Sequence, residues 1–266
     1  MNLAAIVERA LAEDVGTGDV TTELCVPADR LASGQFVAKE SLVVAGLDLL
    51  PHLYDDFEIK AEDGTALQAG QPIAAVRGKA RTLLTRERVA LNFMQHLSGI
   101  ATLARKYVDA VAGTKCRILD TRKTTPGLRQ LEKMAVRAGG ATNHRIGLFD
   151  AVLIKNNHIT AAGGVRAAIE ATRHAHVPVE VEVRTRAELD TALECGAKHL
   201  LLDNLTPAEA AEWIAVIAGR ATVELSGGIT LETVRAYAEA GADYISVGAI
   251  THSARAVDIN FGLVLE

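Results

Sequence analysis

From Arg117 onwards, short apolar runs alternate with helical patterns, and this rhythm limits the folds open to the chain. The apolar runs cover residues 117–119, 151–154, 179–183, 199–202, 222–225 and 244–247. Helical patterns cover 128–138, 165–175, 186–195, 207–218 and 231–240. Strands apolar on both faces and joined by helical crossovers form a parallel sheet covered by helices. Two of the helices carry start signals. Thr185 with Glu188, and Thr206 with Glu209, have capping-box spacing, the second with Pro207 at the first helical position. Gly196 and Gly241 punctuate helix ends. Six strands, with no Gly-x-Gly-x-x-Gly after the first, point away from a dinucleotide-binding sheet. The pattern predicts a β/α barrel that is open or short of eight strands.

The N-terminal part has a different rhythm. Leu3, Ile6, Val7, Ala10 and Leu11 recur at helical spacing and predict a helix over 2–14, ended by a Gly-rich turn in 13–22. Strands are expected at 35–39, 42–45, 57–61 and 72–76, and a helix at 47–54, with Gly64 and Gly70 as punctuation. This half reads as α+β. Residues 82–112 form one long helical pattern, in which Gly99 marks a break or a close helix contact. Arg86 and Arg88 lie early in it and read as solvated helix charges. A chain of 266 residues makes one large domain or two modest ones. Three cysteines (Cys25, Cys116, Cys195) without Cys-x-x-Cys spacing fit a reducing compartment rather than a disulfide framework or a Cys-rich zinc site. The acids in the first helical pattern argue against a signal peptide, and no apolar run is long enough to span a membrane. With a pI near 5.9, the chain is no general nucleic-acid binder. The expectation is a soluble cytoplasmic protein.

Charge is distributed unevenly. Nine Lys or Arg residues lie from Lys115 to Lys155 against three acids, in a chain of net charge −5. In β/α barrels the chemistry lies at the C-terminal ends of the strands. Those ends carry Asp120-Thr121-Arg122-Lys123, Lys155-Asn156-Asn157-His158, Glu180 and Glu182, Asp203-Asn204, Ser226-Gly227-Gly228 and Gly248-Ala249. Cations at the ends of buried strands cost desolvation energy unless an anion meets them. Arg122, Lys123, Arg145 and Lys155, with His144 beside Arg145, therefore predict a pocket for a small, multiply charged anion. Ser226-Gly227-Gly228, read as a turn opening a helix, and Gly248 after the next strand suit backbone approach to a phosphate. Glu182 and Asp203, at neighbouring strand ends beside that phosphate site, suit Mg²⁺. Glu180 shares a face with Glu182 and reads as an ion-pair partner. Lys155 has a second reading, a Schiff-base lysine of the aldolase kind.

At these residues the chain resembles the quinolinate phosphoribosyltransferase family. The likeness runs from EDVGTGDVTT through RERVALNFMQHLSGIAT, LDTRKTTPGLRQLEKMAVRAGGATNHRIGLFDAVLIKNNH, EVEV, LLDN and ELSGGI to ISVGAITHSA. The resemblance implies an N-terminal α/β sandwich over 1–103, an open, incomplete β/α barrel over 104–254, and a tail, 255–266, packing back on the sandwich. It implies a homodimer in which Arg88 enters the neighbouring subunit's site. It assigns Arg122, His144, Arg145 and Lys155 to quinolinate, and Lys123 to the space between quinolinate and the donor, 5-phosphoribosyl 1-pyrophosphate. Glu182 and Asp203 fall near the ribose and Mg²⁺, and with Lys123 they are the candidate catalytic groups. Ser226, Gly227, Gly228, Gly248 and Ala249 fall at the 5′-phosphate. The implied reaction yields nicotinate mononucleotide, pyrophosphate and CO2. The alternatives are a relative of the same scaffold acting on another base, an aldolase-like barrel using Lys155, and a non-catalytic phosphosugar binder.

Overall fold

A computed structural model describes residues 2–265. The first part of the chain forms α1 (Leu3–Val15), α2 (Val20–Cys25), β1 (Leu31–Ala38), β2 (Leu42–Val43), a 3-10 helix (Leu47–His52), β3 (Asp56–Ile59), β4 (Ala66–Leu67), β5 (Pro72–Lys79) and α3 (Ala80–Ala110). Then follow β6 (Arg117–Leu119), α4 (Arg129–Ala138), β7 (Val152–Ile154), α5 (Asn156–Ala162), α6 (Val165–Ala171), β8 (Val179–Val183), α7 (Arg186–Glu194) and β9 (His199–Asp203). The chain ends with α8 (Pro207–Ile217), β10 (Thr222–Ser226), α9 (Val234–Glu239), β11 (Tyr244–Ser246), α10 (Ala249–His252) and β12 (Ile259–Leu265).

Two compact units result. The first comprises residues 1–105, 130–140 and 253–266, and the second residues 106–129 and 141–252. Residues 130–140 thus group with the N-terminal part, although the sequence reading ran the barrel unbroken over 104–254. In the first unit a four-stranded sheet runs β12-β1-β5-β3, with antiparallel pairs throughout. Along β1 the buried residues Ala32, Gly34, Phe36 and Ala38 alternate with more exposed ones, as one buried sheet face requires. Phe36 pairs in register with Phe261, their rings 4.8 Å apart. The C-terminal segment is therefore a strand of this sheet. The helix α3 passes through Gly99 without a break. A Cβ at Gly99 would collide with the Arg255 carbonyl, so the glycine serves close approach of the C-terminal segment rather than of a helix.

In the second unit six parallel strands run β6-β11-β10-β9-β8-β7. β6 and β7 are its two edges and do not pair, which leaves the β/α arrangement open. Both expected capping boxes form, at Thr185 and Thr206. Some elements differ from expectation. Asp19 caps α2 within the stretch read as a turn, its carboxylate accepting from the Thr22 amide at 3.0 Å. The expected helix at 47–54 is a 3-10 helix containing Pro51, whose missing N–H suits a tighter, irregular segment. The tail of the 155–158 motif turns at once into α5. After Gly228 the chain makes a turn before α9 starts at Val234, so Ser226-Gly227-Gly228 does not open a helix.

Candidate active site

The cationic strand ends are pinned by local hydrogen bonds of the second unit. Asp120, fully buried just after β6, accepts from the Asn143 side-chain amide and the His144 backbone N–H, both at 2.7 Å. The strand end is thereby tied to the loop that carries His144 and Arg145. Arg129 adds a second tie. Its guanidinium donates to Thr124 Oγ1 at 2.9 Å, to the Arg122 carbonyl at 3.4 Å and to the Ile146 carbonyl at 3.1 Å. The buried Thr251 hydroxyl donates to the Lys123 carbonyl at 2.7 Å. Arg122 and Lys123 thus project from a backbone held by three separate elements.

Their charges are only partly compensated. The Arg122 Nε is buried without a hydrogen-bond partner. Burial, and next the like charge of Arg122, lower the Arg145 pKa from the usual guanidinium range. Arg145 donates to the Ala151 carbonyl at 3.2 Å, a neutral partner. Two guanidinium groups that repel each other in a pocket favour an anionic guest. Opposite them Lys155 Nζ donates to Glu182 Oε2 at 3.3 Å. Arg184 lies 3.0 Å from Glu182 Oε1 and 3.4 Å from Asp203 Oδ2, bridging the two acids. Glu182 is buried and its Oε1 makes no hydrogen bond of good geometry, although Arg184 is near.

The glycine turn interlocks with the β9 end. The Asn204 amide donates to the Ser226 carbonyl at 2.9 Å, and Asn204 is itself left-handed, with φ 58°. Gly227 has φ 101°, and a Cβ there would collide with the Asn204 side chain and lie 2.8 Å from its backbone nitrogen. Glycine alone satisfies both the dihedral and the approach. Gly248 precedes α10 and accepts from the amides of Thr251 and His252 through its carbonyl, both at 3.1 Å.

These groups line one cavity of about 620 Å³. Arg122, Lys123, His144, Arg145, Lys155, Glu182, Asp203, Ser226, Gly227 and Gly228 all reach it. Gly248, Ala249 and Arg88 are not among its lining residues; a Cβ on Gly248 would come 3.0 Å from Lys123 Cδ, and Arg88 is exposed on α3. The lining also includes residues that the sequence pattern did not single out, chiefly Arg184, Glu224 and Ser246. A signal for Glu224 existed, because a carboxylate between Val223 and Leu225 in a buried strand has the same character as Glu180 and Glu182. Arg184 directly follows β8 and was legible as a strand-end cation.

His144 sits differently from the other cations. Its Nε2 lies 3.1 Å from Glu180 Oε2 and 3.4 Å from Glu224 Oε2. Its Nδ1 accepts from the Arg145 backbone N–H at 2.7 Å. Glu180 is therefore an ion-pair partner of His144, not of a Lys or Arg. Among the described residues, His144, Glu180 and Glu224 form a group of three side chains whose donor atoms lie close enough together to hold a metal. The expected pair, Glu182 and Asp203, is instead joined through Arg184. The three-residue group also lines a second, smaller cavity of about 260 Å³, beside His199, Thr222 and Tyr244 at the strand starts.

Comparison with known proteins gives a uniform result. A family model described as quinolinate phosphoribosyl transferase, C-terminal domain, matches residues 100–262, and its N-terminal counterpart matches residues 19–98. The nicotinate-nucleotide pyrophosphorylase (carboxylating) of Mycobacterium leprae is 45% identical over 271 residues, covering 97% of this chain and 95% of the relative. The probable nicotinate-nucleotide pyrophosphorylase (carboxylating) of Bacillus subtilis is 38% identical over 275 residues, covering 100% and 95%. A crystal structure of NadC from Streptococcus pyogenes superposes with a TM-score of 0.95 at 39% identity, covering 100% of this chain and 97% of that one.

Proposed function

The chain belongs to the quinolinate phosphoribosyltransferase family, and from that premise we infer that it transfers phosphoribose from 5-phosphoribosyl 1-pyrophosphate to quinolinate with decarboxylation. The products are nicotinate mononucleotide, pyrophosphate and CO2, a step of de novo NAD synthesis. The observation that carries the reading to this chain's own residues is the pair Arg122 and Arg145, which line one cavity and repel each other, Arg122 acting on Arg145 more strongly than either Asp150 or Glu180 does. Quinolinate brings two adjacent carboxylates to them. A base with one carboxylate leaves part of that charge uncompensated, which favours quinolinate over nicotinate.

The roles divide by position. Arg122, Arg145 and Lys155 bind and orient the dicarboxylate, with Lys123 between it and the donor. Ser226, Gly227 and Gly228 offer the 5′-phosphate a turn whose backbone can be approached closely, and Gly248 and Ala249 extend that side. Glu182 and Asp203 hold the ribose hydroxyls and stabilise positive charge as the C1–pyrophosphate bond breaks. The pyridine nitrogen attacks C1 and the ring becomes cationic. It then accepts the electron pair released when the 2-carboxylate departs as CO2, and a proton takes that place. No covalent enzyme intermediate is needed, so Lys155 need not be a nucleophile.

The acids also suit Mg²⁺. Glu182 has a buried carboxylate oxygen lacking a well-formed hydrogen bond, and Asp203 stands close by through Arg184. Hard carboxylate oxygens of this kind, with donor oxygens, match the ion's preferences, and when bound it would neutralise charge on the departing pyrophosphate. The family likeness supports a homodimer in which Arg88, exposed on α3, acts in the neighbouring subunit's site. Among the described residues no helix is long and apolar enough to cross a membrane. With three free cysteines, this fits a protein at work in the cytoplasm.

One assay tests the reading. Purified protein is given the donor and Mg²⁺ with either quinolinate or nicotinate. Nicotinate mononucleotide and CO2 from quinolinate alone are expected. Product from another base only would replace quinolinate as the substrate, and a Lys155 adduct trapped by borohydride in a separate incubation with a carbonyl substrate would favour the aldolase chemistry.

A further inference from the structure

The group formed by His144, Glu180 and Glu224 has the spacing of a cation site, its donor atoms lying within 4.8 Å of one another. The hydrogen bonds around the imidazole argue otherwise. Nδ1 accepts from the Arg145 N–H, so the neutral ring carries its proton on Nε2. A metal on Nε2 would force the proton onto Nδ1, where the Arg145 N–H already points. The group is thus built around one N–H shared by two carboxylates. The backbone on the other side is equally fixed, because the His144 N–H donates to the buried Asp120 carboxylate.

Glu224 is 4% exposed, and its Oε1 is buried without a hydrogen-bond partner of good geometry, with the Ser246 hydroxyl nearby on β11. Two ionised carboxylates under a pocket for a dicarboxylate would repel the guest unless the group retained a proton. Glu224 retains it. Burial disfavours ionised Glu224 and raises its pKa, with His144 opposing. The titration belongs to the group as a whole. The charged and titratable neighbours facing it are Arg145, Asp120 and, across the smaller cavity, His199 and Tyr244.

We propose that Glu224, with Glu180, is a positioning residue for the base: the two acids fix His144 in its Nε2–H form, and His144 in turn holds the Arg145 amide and so sets how Arg145 meets a carboxylate. The proposal rests on the quinolinate reading.

The test uses the intact enzyme with Glu224→Leu and Glu224→Gln. Glu224→Leu is expected to raise the quinolinate KM about tenfold, the scale of one lost hydrogen bond, while the donor KM and kcat stay within about threefold. Glu224→Gln keeps an acceptor oxygen and should recover most of that loss. Nitrogen-15 NMR of His144 in the wild type should show a bare Nδ1 and a protonated Nε2. A proton on Nδ1, or Zn²⁺ or Mn²⁺ binding that shifts the His144 nitrogens, would overturn the proposal. So would an unchanged quinolinate KM in Glu224→Leu, or an equal rise in both KM values. The NMR measurement needs no turnover. A wild type inactive toward quinolinate but with the expected tautomer would therefore sink the quinolinate reading and leave the arrangement of the acids standing.

Discussion

Replacing Asp120 with alanine should cost both stability and base recognition. The side chain is fully buried and its two oxygens accept separately, Oδ2 from Asn143 Nδ2 and Oδ1 from the His144 N–H, each at 2.7 Å. Hydrogen bonds to a charged group contribute about 1.5–3 kcal/mol each, so truncation should remove roughly 3–6 kcal/mol. For a protein of this size each kcal/mol lowers Tm by about 2–4 °C, so the drop should be on the order of 10 °C. Denaturant unfolding and calorimetry read the loss directly. Asp120→Asn keeps one acceptor oxygen and should fall between wild type and Asp120→Ala. Freed from this anchor, the loop of His144 and Arg145 should bind quinolinate more weakly while the donor KM changes little. An alanine variant destabilised by less than about 1 kcal/mol would show that water replaces the carboxylate without loss, and the anchoring argument would fail.

Other outcomes follow from single observations. Gly227→Ala combines left-handed strain of about 1–2 kcal/mol with a collision at Asn204, and should raise the donor KM more than the quinolinate KM; steady-state kinetics with each substrate varied would show it. Alanine normally beats glycine inside a helix by about 1 kcal/mol, yet Gly99→Ala should destabilise by roughly 1–3 kcal/mol because the Arg255 carbonyl occupies the space; urea unfolding gives the sign. Burial, then the charge of Asp243, push the Cys116 thiol up to about 12, so a thiol reagent at neutral pH should label exposed Cys25 and spare Cys116 until the protein unfolds, as peptide mapping would reveal.

Much of the molecule was legible in one dimension. Strand and helix patterning is local, so all six barrel strands and the capping boxes at Thr185 and Thr206 could be read before any packing was known. Because every parallel strand places its C-terminal end on the same rim, naming the residues at those ends was enough to gather Arg122, Lys155, Glu182, Asp203 and Ser226 around one cavity. Helix α2 escaped because its signal is a single cap at Asp19 inside a glycine-rich stretch. What only the tertiary structure decided is how the charges pair. Glu180 was free on paper to meet a lysine, yet it meets His144, 36 positions away, while Glu182 takes Lys155 and Arg184. Such choices depend on which side chains a sheet's register and its crossover loops bring within about 3–4 Å, where desolvation makes pairing decisive. Sequence spacing sets which face a residue occupies; only folding sets what lies opposite.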